Sequence, residues 1–250
     1  MLKKYTEADF YELKFVARGR LSPDGISAFF IASLVGNGII LAVSANAVRS
    51  VYVTNPVWGP ILKVNLWFFL IHILITVFFL KEKNYIKFQK LQVVLLCIII
   101  NFIPVGFYQV FFLSCEDKRA PSYMARSGMI LLLGGFIFLI ISTIRAIYRV
   151  KQGKFRRGGE GMFNFKQSKL YVSSPFVFGL IMLSGTFART FSGSSNKGEV
   201  MATLIFLLFL CVLIQYGMAL AIPEFFLVTY CKFRFKSFNM EPRKRINKKR

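Results

Sequence analysis

The chain has 250 residues, 55% of them hydrophobic, 29 of them Phe, and a mean hydropathy of +0.55. A water-soluble core of this size cannot hide that much apolar surface, so lipid is the expected solvent. The formal net charge of +22 would suggest nucleic acid in a soluble protein, but these cations sit in loops between apolar runs. That placement excludes nucleic acid and points to anionic lipid headgroups.

The arm, residues 1–26, opens with Thr6-Glu7-Ala8-Asp9, a hydroxyl followed three residues later by an acid, which is a helix-start pattern. Phe10, Leu13 and Ala17 follow at helical spacing, Phe15 and Val16 widen the stripe, and Gly19 is the expected stop. This predicts a short amphipathic helix lying on the inner membrane surface; docking on a protein partner is the rival reading. Ser22-Pro23-Asp24-Gly25 then predicts a turn. No cleavable signal peptide is expected, because the first long apolar run starts only near Ile26.

Six apolar runs follow, at about 27–48, 61–80, 91–113, 129–148, 171–188 and 200–230. A bilayer core needs about 20 such residues per helix, so the expected fold is all-α, a polytopic membrane domain of six helices over residues 27–230. The arm carries five Lys or Arg, the successive loops one, four, three, seven and two, and the tail nine. This alternation predicts both termini on the cytoplasmic side of the cell membrane. Lys63 and Arg145 fall inside spans near their ends, where each stem can run back to the headgroups.

Within the spans, Ala28, Ala32 and Gly36 form a small-residue stripe on the first, and Gly134 and Gly135 lie in the fourth. All five are expected to let helices approach closely. The intramembrane polar residues are Asn37, Asn46, Asn65, His72, Asn101, Gln109, Gln215 and Glu224. His72 is expected to be neutral and hydrogen-bonded across a helix interface. If the chain is two halves of three spans, the third and sixth correspond, and both carry proline. Asn101 and Pro104 with Gln215 and Glu224 then become a candidate polar pathway.

The loop at 149–169 contains Arg156-Arg157-Gly158-Gly159-Glu160-Gly161, which lacks the ending of a phosphate-binding loop and is expected to be flexible. The tail, residues 231–250, begins with alternating aromatic and basic residues. Its cations Lys232, Arg234, Lys236, Arg243, Lys244 and Arg245 are expected to meet lipid phosphate. Cys97 and Cys211 lie in spans, and Cys115 and Cys231 on opposite sides, so no disulfide is expected. No spacing suggests a metal or other cofactor.

Gly36-Asn37-Gly38, Asn55-Pro56 and Val64-Asn65-Leu66 resemble the opening of the G-protein-coupled receptors. The acid of the second span, the charged triplet after the third and the Asn-Pro pair of the last are missing, so no family is assigned. Catalysis would need paired acids or a nucleophile with its base, and the sequence offers neither. The expectation is a non-catalytic membrane subunit, accessory or immunity-type, that binds another membrane protein or a second copy of itself. The alternative is a small transporter or permease subunit.

Overall fold

A computed structural model describes residues 2, 4–162 and 197–241. The described residues are all-helical, and five helices are long and apolar enough to cross a membrane. A 3-10 turn at Glu7–Phe10 leads into α1 (Tyr11–Arg18), followed by α2 (Pro23–Ala47), α3 (Trp58–Phe79) and the short α4 (Glu82–Lys87). Then come α5 (Gln89–Asp117), α6 (Ser122–Lys151) and α7 (Lys197–Arg234), with a last 3-10 turn at Lys236–Phe238. The five long helices, α2, α3, α5, α6 and α7, cover five of the six expected spans. The run at 171–188 lies outside the described residues.

Local chemistry sets several boundaries. Ser22 caps α2, its hydroxyl accepting the Gly25 N–H at 3.3 Å, and Pro23 takes the first helical position, where its missing N–H costs nothing. The predicted turn is therefore the first turn of the helix. Both α5 and α7 run continuously through Pro104 and Pro223, so neither is interrupted there. In lipid a proline is tolerated when neighbouring groups take up the freed backbone.

α5 is the hub: it packs on α2, α6 and α7, while α3 lies against α2 and α7 against α6. Contacts fix the directions. Ser27 Oγ reaches the Phe79 carbonyl at 2.8 Å and Asn37 reaches His72, so α2 and α3 are antiparallel. Gln92 meets Pro23 and Gly106 abuts Ile40, so α2 and α5 are parallel. Tyr123 faces Met201 and Phe138 stacks on Tyr216, so α6 and α7 are parallel too. Lys151 and Lys197, the residues at either end of the link between them, therefore sit at opposite ends of the bundle.

Two glycines of α6 make room for side chains of α7. A Cβ on Gly135 would fall 2.1 Å from the Gln215 side chain, and one on Gly134 2.7 Å from the Tyr216 hydroxyl. The stripe Ala28, Ala32, Gly36 differs: the alanines are exposed and a Cβ on Gly36 meets nothing. The packed face of α2 is a neighbouring one, through Ser27, Phe30, Ser33, Ile40 and Ser44.

One end of the bundle carries a cap. Phe10, Leu13, Val16 and Ala17 are buried in a cluster with Phe155 and Met162 from the link after α6, and with Leu227, Val228 and Phe238. Phe10 contacts the rings of Tyr230 and Phe235 at 6.0 and 5.8 Å. So the stripe expected to face lipid is covered by the chain's own distant segments, and only Phe15 stays half exposed.

Candidate functional site: a cleft among four helices

The polar residues of the spans are held in local pairs. On the α2–α3 interface, Asn37 Nδ2 lies 3.0 Å from His72 Nδ1 and Ser33 Oγ 3.3 Å from His72 Nε2. An amide donating to Nδ1 leaves the proton on Nε2, which donates to Ser33, whose hydroxyl reaches the Phe30 carbonyl at 3.2 Å. The imidazole is thus satisfied as a neutral ring. Nearer the cap, Gln92 from α5 donates to the Pro23 carbonyl at 2.7 Å and to Ser27 Oγ at 2.9 Å, tying α5 to α2.

Towards the opposite end, α2, α3, α5 and α6 leave a cleft of about 750 Å³. Its wall is mainly apolar and includes Trp58, Phe68, Phe69, Phe102 and Phe112. Phe68 and Phe102 stack at 4.6 Å, joining α3 to α5. Asn37 sits deep in the cleft, and Asn65 donates to Gln109 Oε1 at 2.6 Å across it. Glu116 holds the mouth, accepting from the N–H groups of Thr54 and Asn55 at 2.7 and 2.8 Å and from Trp58 Nε1 at 2.6 Å. Val64, Phe102 and Met129 line the cleft and are exposed, so it reaches the outer surface of the bundle.

The four residues of the expected pathway are not brought together, and none lines this cleft. Asn101 donates back to the Cys97 carbonyl of its own helix at 2.7 Å. Pro104 is buried within α5. Gln215 donates to the Leu132 carbonyl on α6 at 2.9 Å. Glu224 pairs with Arg20, which arrives from the chain just after α1.

The basic tail also divides. Lys232 is fully buried, its ammonium donating to the Leu21 carbonyl at 3.3 Å, so it does not meet headgroups. The reason is that α7 continues to Arg234. Residues two apart in a helix point to opposite sides, so Lys232 turns inward while Arg234 turns out. Arg234 donates to the Leu2 carbonyl at 2.8 Å and stacks over Tyr230 and Phe235, and Lys236 is exposed. Arg243, Lys244 and Arg245 lie outside the described residues.

Part of the loop expected to be flexible is built into the cap. Asp9 is buried and accepts from the Thr6 N–H at 2.8 Å, the Thr6 hydroxyl at 3.1 Å and Arg156 Nε at 2.8 Å. Burial raises the Asp9 pKa, but these donors outweigh it and hold the carboxyl below its ordinary value. Gly158, at a φ of +78° that favours glycine, turns its N–H onto Glu12 at 3.0 Å. Glu160 takes Arg149 and Lys154 at 3.3 and 3.0 Å, closing the loop on itself. Glycine and arginine side by side carried the signal. The acids that complete it lie 147 and 146 residues away.

Among the described residues, no group of three His, Cys, Asp or Glu side chains is placed to hold a metal ion. No family model, curated protein or solved structure matches this chain.

Proposed function

We propose that the protein is a six-span subunit of the cell membrane, both termini cytoplasmic, which acts without catalysis by binding another membrane protein. The parallel course of α6 and α7 supports the sixth crossing, since the link between them must change ends and the apolar run at 171–188 lies in it. The orientation is supported by charge. Lys14, Arg18, Lys81, Lys83, Lys87, Lys90, Lys151 and Arg157 are among the cations at the capped end, against Arg49, Lys118, Arg119 and Arg126 at the other. By the positive-inside rule the capped end faces the cytoplasm.

The cleft carries the binding reading. Helices in lipid gain little from the hydrophobic effect and associate through close packing and amide hydrogen bonds, which is what apolar walls interspersed with Asn37, Asn65 and Gln109 offer. Its occupant on this reading is an apolar helix of another membrane protein, or of a second copy. A photo-crosslinking residue placed at Val64 or Met129 in intact cells is expected to give one adduct of defined mass, while the same probe at Ile144, away from the cleft, gives none. Adducts with lipid alone at all three positions would overturn this.

A second reading, a small transporter or permease subunit, is favoured by one observation: Asn37, Asn65, Gln109 and Glu116 step along the cleft from its depth to its mouth. On that reading Asn65→Ala abolishes flux of a tracer solute in proteoliposomes. Loss with Asn101→Ala or Glu224→Gln instead would favour a path between α5 and α7.

A further inference from the structure

At the capped end, the start of α5 and the end of α7 leave a groove of about 690 Å³ between them. Leu91 and Val94 of α5, Phe233 of α7 and Phe88 form its apolar floor. Phe88, Leu91 and Phe233 are exposed, although each is large and apolar. Lys87 and Lys90 stand on the rim, also exposed, their ammonium groups 5.2 and 5.6 Å from the ring centroids of Phe88 and Phe233. Neither forms an ion pair with the described residues.

The level of this groove is informative. The chain passes there from the charged stretch 81–90 to the apolar stretch 91–100, which is where water gives way to hydrocarbon. Two cations without acids, above exposed hydrocarbon and aromatic surface, complement a molecule with an anion at one end and an alkyl chain at the other. We propose that the groove binds one anionic phospholipid, with its phosphate between Lys87 and Lys90 and an acyl chain along Leu91, Val94 and Phe233. Its cations belong to α4 and α5, not to the tail. The inference rests on the membrane reading, but not on the choice of leaflet or on a protein partner.

The test is native mass spectrometry of the full chain in mild detergent, titrated with phosphatidylglycerol or with phosphatidylcholine of the same acyl chains. One phosphatidylglycerol is expected to bind first, with phosphatidylcholine weaker. The double variant Lys87→Gln/Lys90→Gln is expected to lose about tenfold in phosphatidylglycerol affinity, and Lys81→Gln/Lys83→Gln almost nothing. Phe233→Ser should weaken both lipids. All four lysines are exposed, so these variants are expected to keep the parent's melting temperature, and each single variant at Lys87 and Lys90 provides a check. Equal losses in the two double variants, equal binding of the two lipids, or displacement by millimolar inorganic phosphate would each overturn the site. The membrane reading fails separately, if the chain is recovered in a carbonate-washed supernatant without detergent.

Discussion

The two ends of the bundle are closed by different means. At the capped end, three stretches of chain far apart in sequence share one core: α1, the link after α6, and the end of α7 with the 3-10 turn at Lys236–Phe238 that follows it. At the other end, a single carboxylate, Glu116, pins residues 54–58, and Arg119 lies over the Tyr52 ring at 4.1 Å. The first closure is cooperative, since buried apolar surface and charge pairs are lost together; the second is a local staple of the α2–α3 loop, beside a separate buried cluster of Phe111, Cys115, Met124 and Leu204 that joins α5, α6 and α7. The capped end should therefore resist opening, and the α2–α3 loop should yield first.

The largest effect expected from this contrast comes from Glu224→Ala. It leaves the Arg20 guanidinium half-buried without its partner, and the cost should lie between those of exposed and buried pairs, about 2 kcal/mol. A fall in melting temperature with faster proteolysis across residues 2–21 would show it; an unchanged melt would mean that the arm does not brace α7. Acid should act on the same region. The Asp9 carboxyl is held below its ordinary value, so its contribution is complete above the unfolded pKa of about 3.9 and disappears as pH falls through the folded one. The protection of residues 9–18 against hydrogen exchange, relative to the intrinsic rate at each pH, should thus fall below about pH 4. Asp9→Asn should show that loss of protection already at neutral pH, without the acid step.

Next comes Glu116→Gln, which weakens three charge-assisted bonds at a partly solvated site and should cost about 1 kcal/mol. Its effect should stay in residues 48–58, read as exchange of those amides alone. If it lowered the global melt as far as Glu224→Ala, the contrast between the ends would be wrong. Arg119→Ala is the mildest, about 0.5 kcal/mol from a cation over an exposed ring. It should be visible only in local exchange.

The long helices could be read directly because each is a local property of twenty or so consecutive residues. The 27–48 run became Pro23–Ala47 and the 129–148 run Ser122–Lys151, the extra turns carrying polar and charged residues such as Asp24, Ser122, Arg126, Arg149 and Lys151 that break an apolar run. Partnership was not readable. Phe10 and Leu13 have the pattern of a lipid-facing stripe, and nothing local distinguishes lipid from Phe235 and Phe238 as the surface they cover. Lys232 and Arg234 are alike in sequence, and only the continuation of α7 to Arg234 sets them on opposite sides. The cleft depends on Asn37, Asn65 and Gln109 from three helices, whose relative rotation is fixed only by contacts such as Gly106 against Ile40. Pairing the third span with the sixth rests on two halves of three spans with prolines at matching positions, and in the structure Asn101, Gln215 and Glu224 take separate partners.

The cap has a consequence for biogenesis. Leu21 waits for Lys232, its hydrogen-bond partner 211 residues later, and Phe10 waits for Phe235 and Phe238. While translation is still short of those positions, the early segment shows a greasy, unclosed face to the ribosome's surroundings. A chain released before residue 232 keeps that face open, since neither Lys232 nor the rings of Phe235 and Phe238 are there to cover it.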